Sequence, residues 1–114
     1  MERVDKPWGY ELRFICTDRY AGKVLVIHAG HQLSLQYHEH KDEAIFIQEG
    51  TLELVLDREG ECVETLQPGD SRHLPPGTVH RFRAVTDCTL FEVSTPEMDD
   101  VVRISDDYGR TGDS

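Results

Sequence analysis

The sequence lacks any apolar stretch long enough to form a membrane-spanning helix. No apolar run in its 114 residues approaches the length that a bilayer requires, and residues 1–6 carry no apolar signal segment. Cysteine is scarce, and Cys16, Cys62 and Cys88 are too irregularly spaced to form a Cys-x-x-Cys zinc pattern or a disulfide framework. We therefore expect a cytoplasmic protein that does not interact with membranes.

Positive charge is the second shortage. The chain has 12 Lys and Arg residues against 22 Asp and Glu residues, which gives a formal net charge of -10. Such an acidic surface disfavours nucleic acid and anionic membranes as partners. It also repels anionic small molecules unless the binding pocket itself is basic. We predict a small-molecule ligand and no nucleic-acid partner.

A sustained helical period, an internal repeat and an interdomain linker are also missing. Short apolar runs alternate with turn residues, which is typical of an all-β domain, and 114 residues suit one compact core. We predict strands at residues 23–28, 32–40, 44–48, 51–57, 62–66, 80–85 and 88–94. Glu49 and Gly50 are expected to form a hairpin turn between two of these strands, because a tight turn often needs a positive φ.

The strand predicted at residues 32–40 carries two closely spaced histidines. Alternate residues of a strand point to the same face, and here one face carries Ser34, Gln36, His38 and His40. The two imidazoles can therefore meet at one point, and Glu43 and His80 can complete a coordination shell around a metal ion. Gln36 becomes a candidate to contact the metal or its ligand. The remaining histidines lack this spacing and are expected to be structural or exposed: His28, His31 and His73.

The same residues fall into two linked motifs that identify a family. His38, His40 and Glu43 are followed after six residues by Gly50, and a second motif contains Gly69, Pro75, Gly77 and His80. These motifs resemble those of the cupins, which are small β-barrels. The resemblance implies a single-domain double-stranded β-helix, or jelly roll, with one divalent metal ion held by His38, His40, Glu43 and His80. Nitrogen and oxygen ligands admit Zn, Mn, Fe, Co or Ni.

A narrower resemblance covers almost the whole chain. The sequence is similar to the cupin domain of type II mannose-6-phosphate isomerases, which carry four recognisable segments. The matching segments are Lys6-Pro7-Trp8-Gly9, Ser34-Leu35-Gln36, Leu74-Pro75-Pro76-Gly77-Thr78-Val79-His80-Arg81 and Asp106-Asp107-Tyr108-Gly109-Arg110. This resemblance implies a metal-dependent sugar-phosphate isomerase of carbohydrate or polysaccharide metabolism that acts on mannose 6-phosphate or a related sugar. Gln36 and Arg81 are the candidate substrate contacts, and no catalytic base is identified.

The chain departs from that family close to the shared glutamate. Lys41 replaces an Arg, Ala44 and Ile45 replace a His and a Trp, and Ala84 replaces the Asn of the second motif. If the missing His transfers a proton, or its neighbours hold the sugar, isomerase chemistry is affected while the metal site is not. Two alternatives therefore stay open. One is a ferrous dioxygenase, and the other is a non-catalytic sugar- or acid-binding module whose pocket the metal organises.

We divide the predicted domain into four segments and expect it to form a homodimer. They are an N-terminal segment (1–22), the barrel (23–95), a closing segment (96–108) and a tail (109–114) that we expect to be frayed. Open sheet edges of small β-domains need covering, and cupins of this kind commonly dimerise, so we predict a homodimer. We expect the N-terminal segment to contribute to it through its apolar residues Trp8, Leu12 and Phe14.

Overall fold

The computed structural model describes residues 1–97 and 99–109, and every regular element in these ranges is a β-strand. The strands are β1 (Glu2–Lys6), β2 (Gly9–Cys16), β3 (Ala21–Ile27), β4 (Leu35–Tyr37), β5 (Glu43–Glu49), β6 (Leu52–Val55), β7 (Val63–Leu66), β8 (Ser71–Leu74), β9 (Arg81–Ala84), β10 (Cys88–Ser94) and β11 (Val102–Ser105). The all-β prediction is confirmed. Nowhere in the described ranges is there a helix that could span a bilayer. Most of the tail predicted to be frayed, residues 110–114, lies outside the described residues.

The strands form three antiparallel sheets around one interior. The largest sheet has the order β1-β2-β3-β10-β5-β8, the second has the order β7-β6-β9, and the third pairs β11 with β4. Single bridges from Gln32 to Arg83 and from Gln36 to His80 connect the region of β4 with β9. One buried apolar cluster joins residues of the large sheet and the three-stranded sheet. This is the closed arrangement that the jelly-roll prediction requires.

The predicted hairpin around Glu49 and Gly50 is wrong, because β5 and β6 belong to different sheets. Both edges of β5 are occupied, one by β10 and the other by β8, so β6 pairs with β7 and β9 instead. Gly50 makes the crossing between the sheets with a φ of 88°. A Cβ atom at this position would lie 2.2 Å from the carbonyl oxygen of Asp87. The crossing therefore requires glycine for a close approach of two backbones.

Four strands were not predicted from the sequence: β1, β2, β8 and β11. Three of them are short and rich in polar or charged residues, so they lack the apolar runs from which strands were predicted. Each is held by its neighbour in space, because β1 pairs with β2, β8 with β5 and β11 with β4. Conversely, one predicted strand is too long, because only the three residues of β4 form a strand within residues 32–40.

The inward-facing residues of the large sheet change from apolar to charged along the barrel. Leu25, Leu90 and Ile47 are neighbours on β3, β10 and β5, and all three are almost fully buried. Two residues away, Lys23 of β3 is paired with Glu92 of β10, and Glu92 is also buried. The apolar end supplies the core, and the charged end surrounds a cavity in which polar side chains meet.

Candidate metal centre

Three of the predicted ligands converge at the charged end of the barrel. His38 follows β4, Glu43 begins β5 and His80 precedes β9, and all three side chains are buried. Gln36 and His80 exchange backbone hydrogen bonds of 3.0 and 2.8 Å, which brings the two imidazole centroids within 5.3 Å. The Oε1 atom of Glu43 lies 3.3 Å from His38 Nε2 and 3.1 Å from His80 Nε2. Two motifs that are distant in sequence therefore meet at one carboxylate.

In each imidazole, the hydrogen bond made by Nδ1 determines whether Nε2 carries a proton. His38 Nδ1 donates to the backbone carbonyl of Asp100, and His80 Nδ1 donates to that of Thr78 at 2.8 Å. A carbonyl oxygen only accepts, so both Nδ1 atoms carry a proton and both Nε2 atoms of the neutral rings present a lone pair. These Nε2 atoms and both carboxylate oxygens of Glu43 have no hydrogen-bond partner. Buried acceptors that face one another in this way suit a cation, and these donor types suit a divalent metal ion.

His40 lies outside this group and is exposed. The strand alternation that would align it with His38 does not extend this far, because β4 ends at Tyr37. After that point the chain turns around the carboxylate of Asp100, which accepts the backbone N–H groups of Glu39, His40 and Lys41 at 3.1, 2.7 and 2.9 Å. The structure thus brings together two histidines and one carboxylate of the four predicted ligands.

Lys41 is a buried cation beside the ligand carboxylate. Its Nζ atom lies 3.5 Å from Glu43 Oε2 and 3.3 Å from Glu92 Oε2. Burial alone would lower the pKa of Lys41, but the two carboxylates outweigh burial and raise it. Burial would likewise raise the pKa of Glu43, but hydrogen bonds from the two imidazoles in their protonated form, together with the Lys41 ammonium group, hold it well below its usual range. The ligand carboxylate is therefore ionised, as metal binding requires.

A cavity of about 110 Å³ adjoins the group. That volume has room for several water molecules or a small polar ligand. His38 and Glu43 are part of its wall, and so is Gln36, whose Oε1 atom accepts a hydrogen bond from the hydroxyl of Ser34. The charged residues of the wall are Lys6, Arg13, Lys23, Lys41, Arg103, Glu11, Glu43 and Glu92. Cations thus outnumber carboxylates five to three in the cavity, although the whole chain carries a net charge of -10.

The two predicted substrate contacts have different surroundings. Gln36 faces the cavity, whereas Arg81 is not among the residues that line it. The guanidinium of Arg81 donates to the backbone carbonyl of Leu33 at 2.9 Å and to that of Ser105 at 3.1 Å. It therefore connects β9 to Leu33, which lies two residues before β4, and to the last residue of β11. These contacts indicate a structural role for Arg81.

Sequence reasoning missed the charged residues that the N-terminal strands bring to the cavity. Lys6, Glu11 and Arg13 lie in β1 and β2, a segment treated only as a dimer contact. The available signal was the alternation of Glu11 with Arg13, which places two opposite charges on one face of a strand. Trp8, expected in the core or a dimer interface, is buried in the core cluster and also lines the cavity.

The departures from the isomerase family at positions 44 and 45 lie outside the cavity wall. In β5 the buried residues alternate with accessible ones, and Ala44 falls on the accessible side together with Phe46. Ile45 points inward but is packed in the apolar cluster. Neither residue lines the cavity. A side chain at position 44 that follows this alternation points away from the three converging ligands.

Comparison with protein families places these features in a known group. A family model described as a cupin domain matches residues 23–94. The chain is a cupin. It is 33% identical over 114 residues to the xanthan biosynthesis protein XanB of Xanthomonas campestris, covering 96% of this chain and 24% of that protein. It is also 33% identical over 112 residues to mannose-1-phosphate guanylyltransferase of Escherichia coli, covering 94% of this chain and 23% of that protein. This cupin therefore spans about a quarter of the length of these relatives.

Solved structures show the same fold. The cupin superposes on KdgF from Halomonas sp. with a TM-score of 0.77 at 21% identity, covering 87% of this chain and 91% of that one. It superposes on an RmlC-like cupin from Shewanella frigidimarina with a TM-score of 0.75 at 19% identity, covering 86% of both chains. At such low identity the likeness concerns the fold alone. The predicted cupin fold is confirmed, and so is the predicted family resemblance, through the cupin region of XanB and of mannose-1-phosphate guanylyltransferase.

Proposed function

We propose that this cupin is a metal-dependent enzyme of carbohydrate metabolism that isomerises a sugar phosphate, mannose 6-phosphate or a close relative. The supporting observation is the group of buried acceptors on His38, Glu43 and His80 that have no hydrogen-bond partner, next to a cavity lined by five cations and three carboxylates. A basic cavity in an acidic protein selects an anionic small molecule. Similarity to proteins named for mannose 1-phosphate, xanthan and alginate supports a sugar as the molecule that bears the anionic group.

His38, Glu43 and His80 would hold the ion, which is one of Zn, Mn, Fe, Co or Ni. A divalent ion in such a site polarises a substrate carbonyl group and stabilises negative charge on its oxygen. The protein's own residues keep the ligands in place, since the Nδ1 hydrogen bonds orient both imidazoles. Lys41 adds a fixed positive charge beside Glu43, where it can stabilise negative charge that develops on a bound sugar. Gln36 offers an amide to the sugar hydroxyls.

Metal binding is tested by elemental analysis of the purified protein and of single variants. His38→Ala and His80→Ala should each lose most of the bound divalent ion, because each removes one of three converging ligand atoms. His28→Ala is the matched control, since this histidine is exposed and outside the group. His40→Ala should keep the ion if the three-residue group is the complete set of protein ligands. Full occupancy in His80→Ala would show that the two motifs do not share an ion.

Isomerase activity is tested on protein reconstituted with each candidate metal. Conversion of mannose 6-phosphate to fructose 6-phosphate should require the ion and should be lost in Glu43→Gln, with thermal melting used to confirm that the variant is folded. A folded, fully metal-loaded wild-type protein that binds the sugar phosphate without converting it would refute the isomerase and support the binding-module alternative.

A ferrous dioxygenase is the second candidate function. Two histidines and one carboxylate, the set formed by His38, His80 and Glu43, are also the ligands of many non-haem iron oxygenases. Oxygen consumption by the iron(II)-loaded protein, measured with an oxygen electrode on sugar and organic-acid substrates, distinguishes the two enzymes. Substrate-dependent oxygen uptake that His80→Ala abolishes would favour the oxygenase.

A homodimer in the cytoplasm completes the proposal. Cys16, Cys62 and Cys88 are free thiols, which suits a reducing compartment. Trp8 is buried in the core, whereas Phe14 is exposed together with Met1, Ile15 and Tyr20, so Phe14 is the predicted contact that the N-terminal segment can offer to a partner. Light scattering at micromolar concentration should give a dimeric mass that Phe14→Glu lowers. A monomeric mass for the wild-type protein would refute the dimer.

A further inference from the structure

One buried carboxylate at the N-terminal end of the cavity is surrounded by three cations. Glu11 Oε1 lies 2.9 Å from Arg13 Nη2 and 3.8 Å from Lys6 Nζ, and Glu11 Oε2 lies 3.5 Å from Lys23 Nζ. All four residues line the cavity. Arg13 Nη1 also lies 3.7 Å from Glu2 Oε1, at the exposed edge of the group. We call the buried carboxylate and its three cations the Glu11 cluster. Three cations gathered on the wall of one cavity attract an anion.

The cations of the Glu11 cluster keep part of their surface accessible. The Arg13 side chain is 31% exposed and that of Lys6 is 24% exposed, whereas the Glu11 side chain is 6% exposed. The carboxylate is therefore enclosed while the positive groups around it can still contact a ligand. The planar guanidinium of Arg13 has five N–H donors; Nε and Nη2 donate to Glu11, and Nη1 lies 3.7 Å from the exposed Glu2 carboxylate, beyond hydrogen-bond distance. Its fork suits the oxygens of a phosphate group.

A continuous row of alternating charges links the Glu11 cluster to the metal centre. Lys23 is the neighbour of Glu92 across β3 and β10. Glu92 Oε2 lies 3.3 Å from Lys41 Nζ, and Lys41 Nζ lies 3.5 Å from Glu43 Oε2. The two ends of this row border the same cavity. One end carries the three cations of the Glu11 cluster, and the other end carries the buried acceptors of the metal centre. The two ends of the cavity therefore attract opposite charges.

The geometry points to an anion subsite at the Glu11 cluster that takes the phosphate group of a phosphomonoester. Lys6, Arg13 and Lys23 bind the phosphate oxygens, and the opposite, hydroxyl- or carbonyl-bearing end of the ligand is directed to His38 and Glu43. The sugar portion of this ligand rests on the proposed function, whereas the binding of the phosphate group does not. The subsite sets the orientation of the ligand in the cavity.

Phosphate binding to the metal-free 114-residue chain is the direct test, measured by titration calorimetry with inorganic phosphate at low and high salt. Arg13→Gln and Lys6→Gln should each weaken binding about 10-fold, the effect of losing one charged hydrogen bond of roughly 1.5 kcal/mol. Glu11→Gln should strengthen binding, because it removes the negative charge that competes with phosphate. Arg3→Gln is the control, since Arg3 lies on the same hairpin, is 59% exposed and pairs with Asp5 outside the cavity.

The outcomes separate the subsite from the proposed reaction. Weaker phosphate binding in Lys6→Gln or Arg13→Gln and tighter binding in Glu11→Gln, with Arg3→Gln unchanged, would support the subsite even if no isomerisation is detected. Absence of phosphate binding by the wild-type chain, or equal affinity in all folded variants, would overturn it. If the protein isomerises mannose 6-phosphate, Arg13→Gln should raise KM with little change in kcat. An unchanged KM would refute the subsite while leaving the isomerase intact.

Discussion

Replacement of Lys41 by methionine is the perturbation for which the structure gives the clearest magnitude. The Lys41 ammonium lies between Glu43 and Glu92, and each of the three side chains is at most 7% exposed. Removing the cation leaves two buried carboxylates without their shared partner. Breaking a buried ion pair from one side costs about 3–5 kcal/mol, and a domain of this size loses about 4 °C in Tm per kcal/mol. We expect Lys41→Met to melt roughly 12–20 °C below the wild-type protein.

Acid should reverse part of this loss. Burial and the nearby Glu43 raise the pKa of Glu92 even though Lys41 and Lys23 oppose the rise, and removal of Lys41 raises it further. A carboxyl whose pKa is higher in the folded state than in the unfolded state destabilises the protein as pH rises between those two values. The stability of Lys41→Met relative to wild type should therefore improve as the pH falls from 7 toward 5.

Urea unfolding of the metal-free proteins, followed by circular dichroism at several pH values, measures both effects. Lys41→Arg is the matched control, because it keeps the positive charge between Glu43 and Glu92. It should remain much closer to the wild-type stability than Lys41→Met does. If Lys41→Met were as stable as wild type at pH 7, the buried charge network described for this cavity would be refuted. A loss of the same size at pH 5 and pH 7 would refute the role assigned to Glu92.

Three further predictions concern the metal, the outer face of the barrel and the acid limb of stability. Chelation should lower Tm, because an ion present at 100 times its Kd stabilises the folded state by about 2.7 kcal/mol; circular dichroism should still show a folded β-protein, and unfolding by chelator alone would contradict a separate apolar core. Ala44→His should leave the isomerisation rate almost unchanged, because position 44 faces away from the cavity; a gain of about 100-fold, as a proton-transfer group supplies, would contradict that placement. Burial raises the pKa of Glu11, but the cations around it outweigh burial and lower it, so its stabilising effect is present above its unfolded pKa and is lost as pH falls through the folded value. In Glu11→Gln the free energy of urea unfolding should fall less steeply as the pH is lowered. The same pH dependence as in wild type would argue against the ion pairs of Glu11 with its cations.

The sequence by itself determined the fold class and indicated three of the residues that converge in the candidate metal centre. Short apolar runs with period-2 alternation report which face of a strand is buried, and this is a local property. His38, Glu43 and His80 were identified because the order and spacing of two motifs, each a local pattern, are specific to cupins. The inward direction of Gln36 followed from the same alternation, and the structure places it on the cavity wall.

Tertiary structure decided which strands pair and which charged groups share the cavity. The predicted Glu49–Gly50 hairpin does not form because β10 and β8 occupy the two edges of β5. Both of these strands are distant from β5 in the sequence. His40 lies outside the ligand group because a distant carboxylate, that of Asp100, ends the strand geometry early. Lys41 is a buried cation beside two carboxylates, Glu43 at 3.5 Å and Glu92 at 3.3 Å, and Glu92 is 51 residues away in the sequence. Local periodicity fixes the face of a residue, whereas long-range register fixes its partners, and the chemistry of this site depends on those partners.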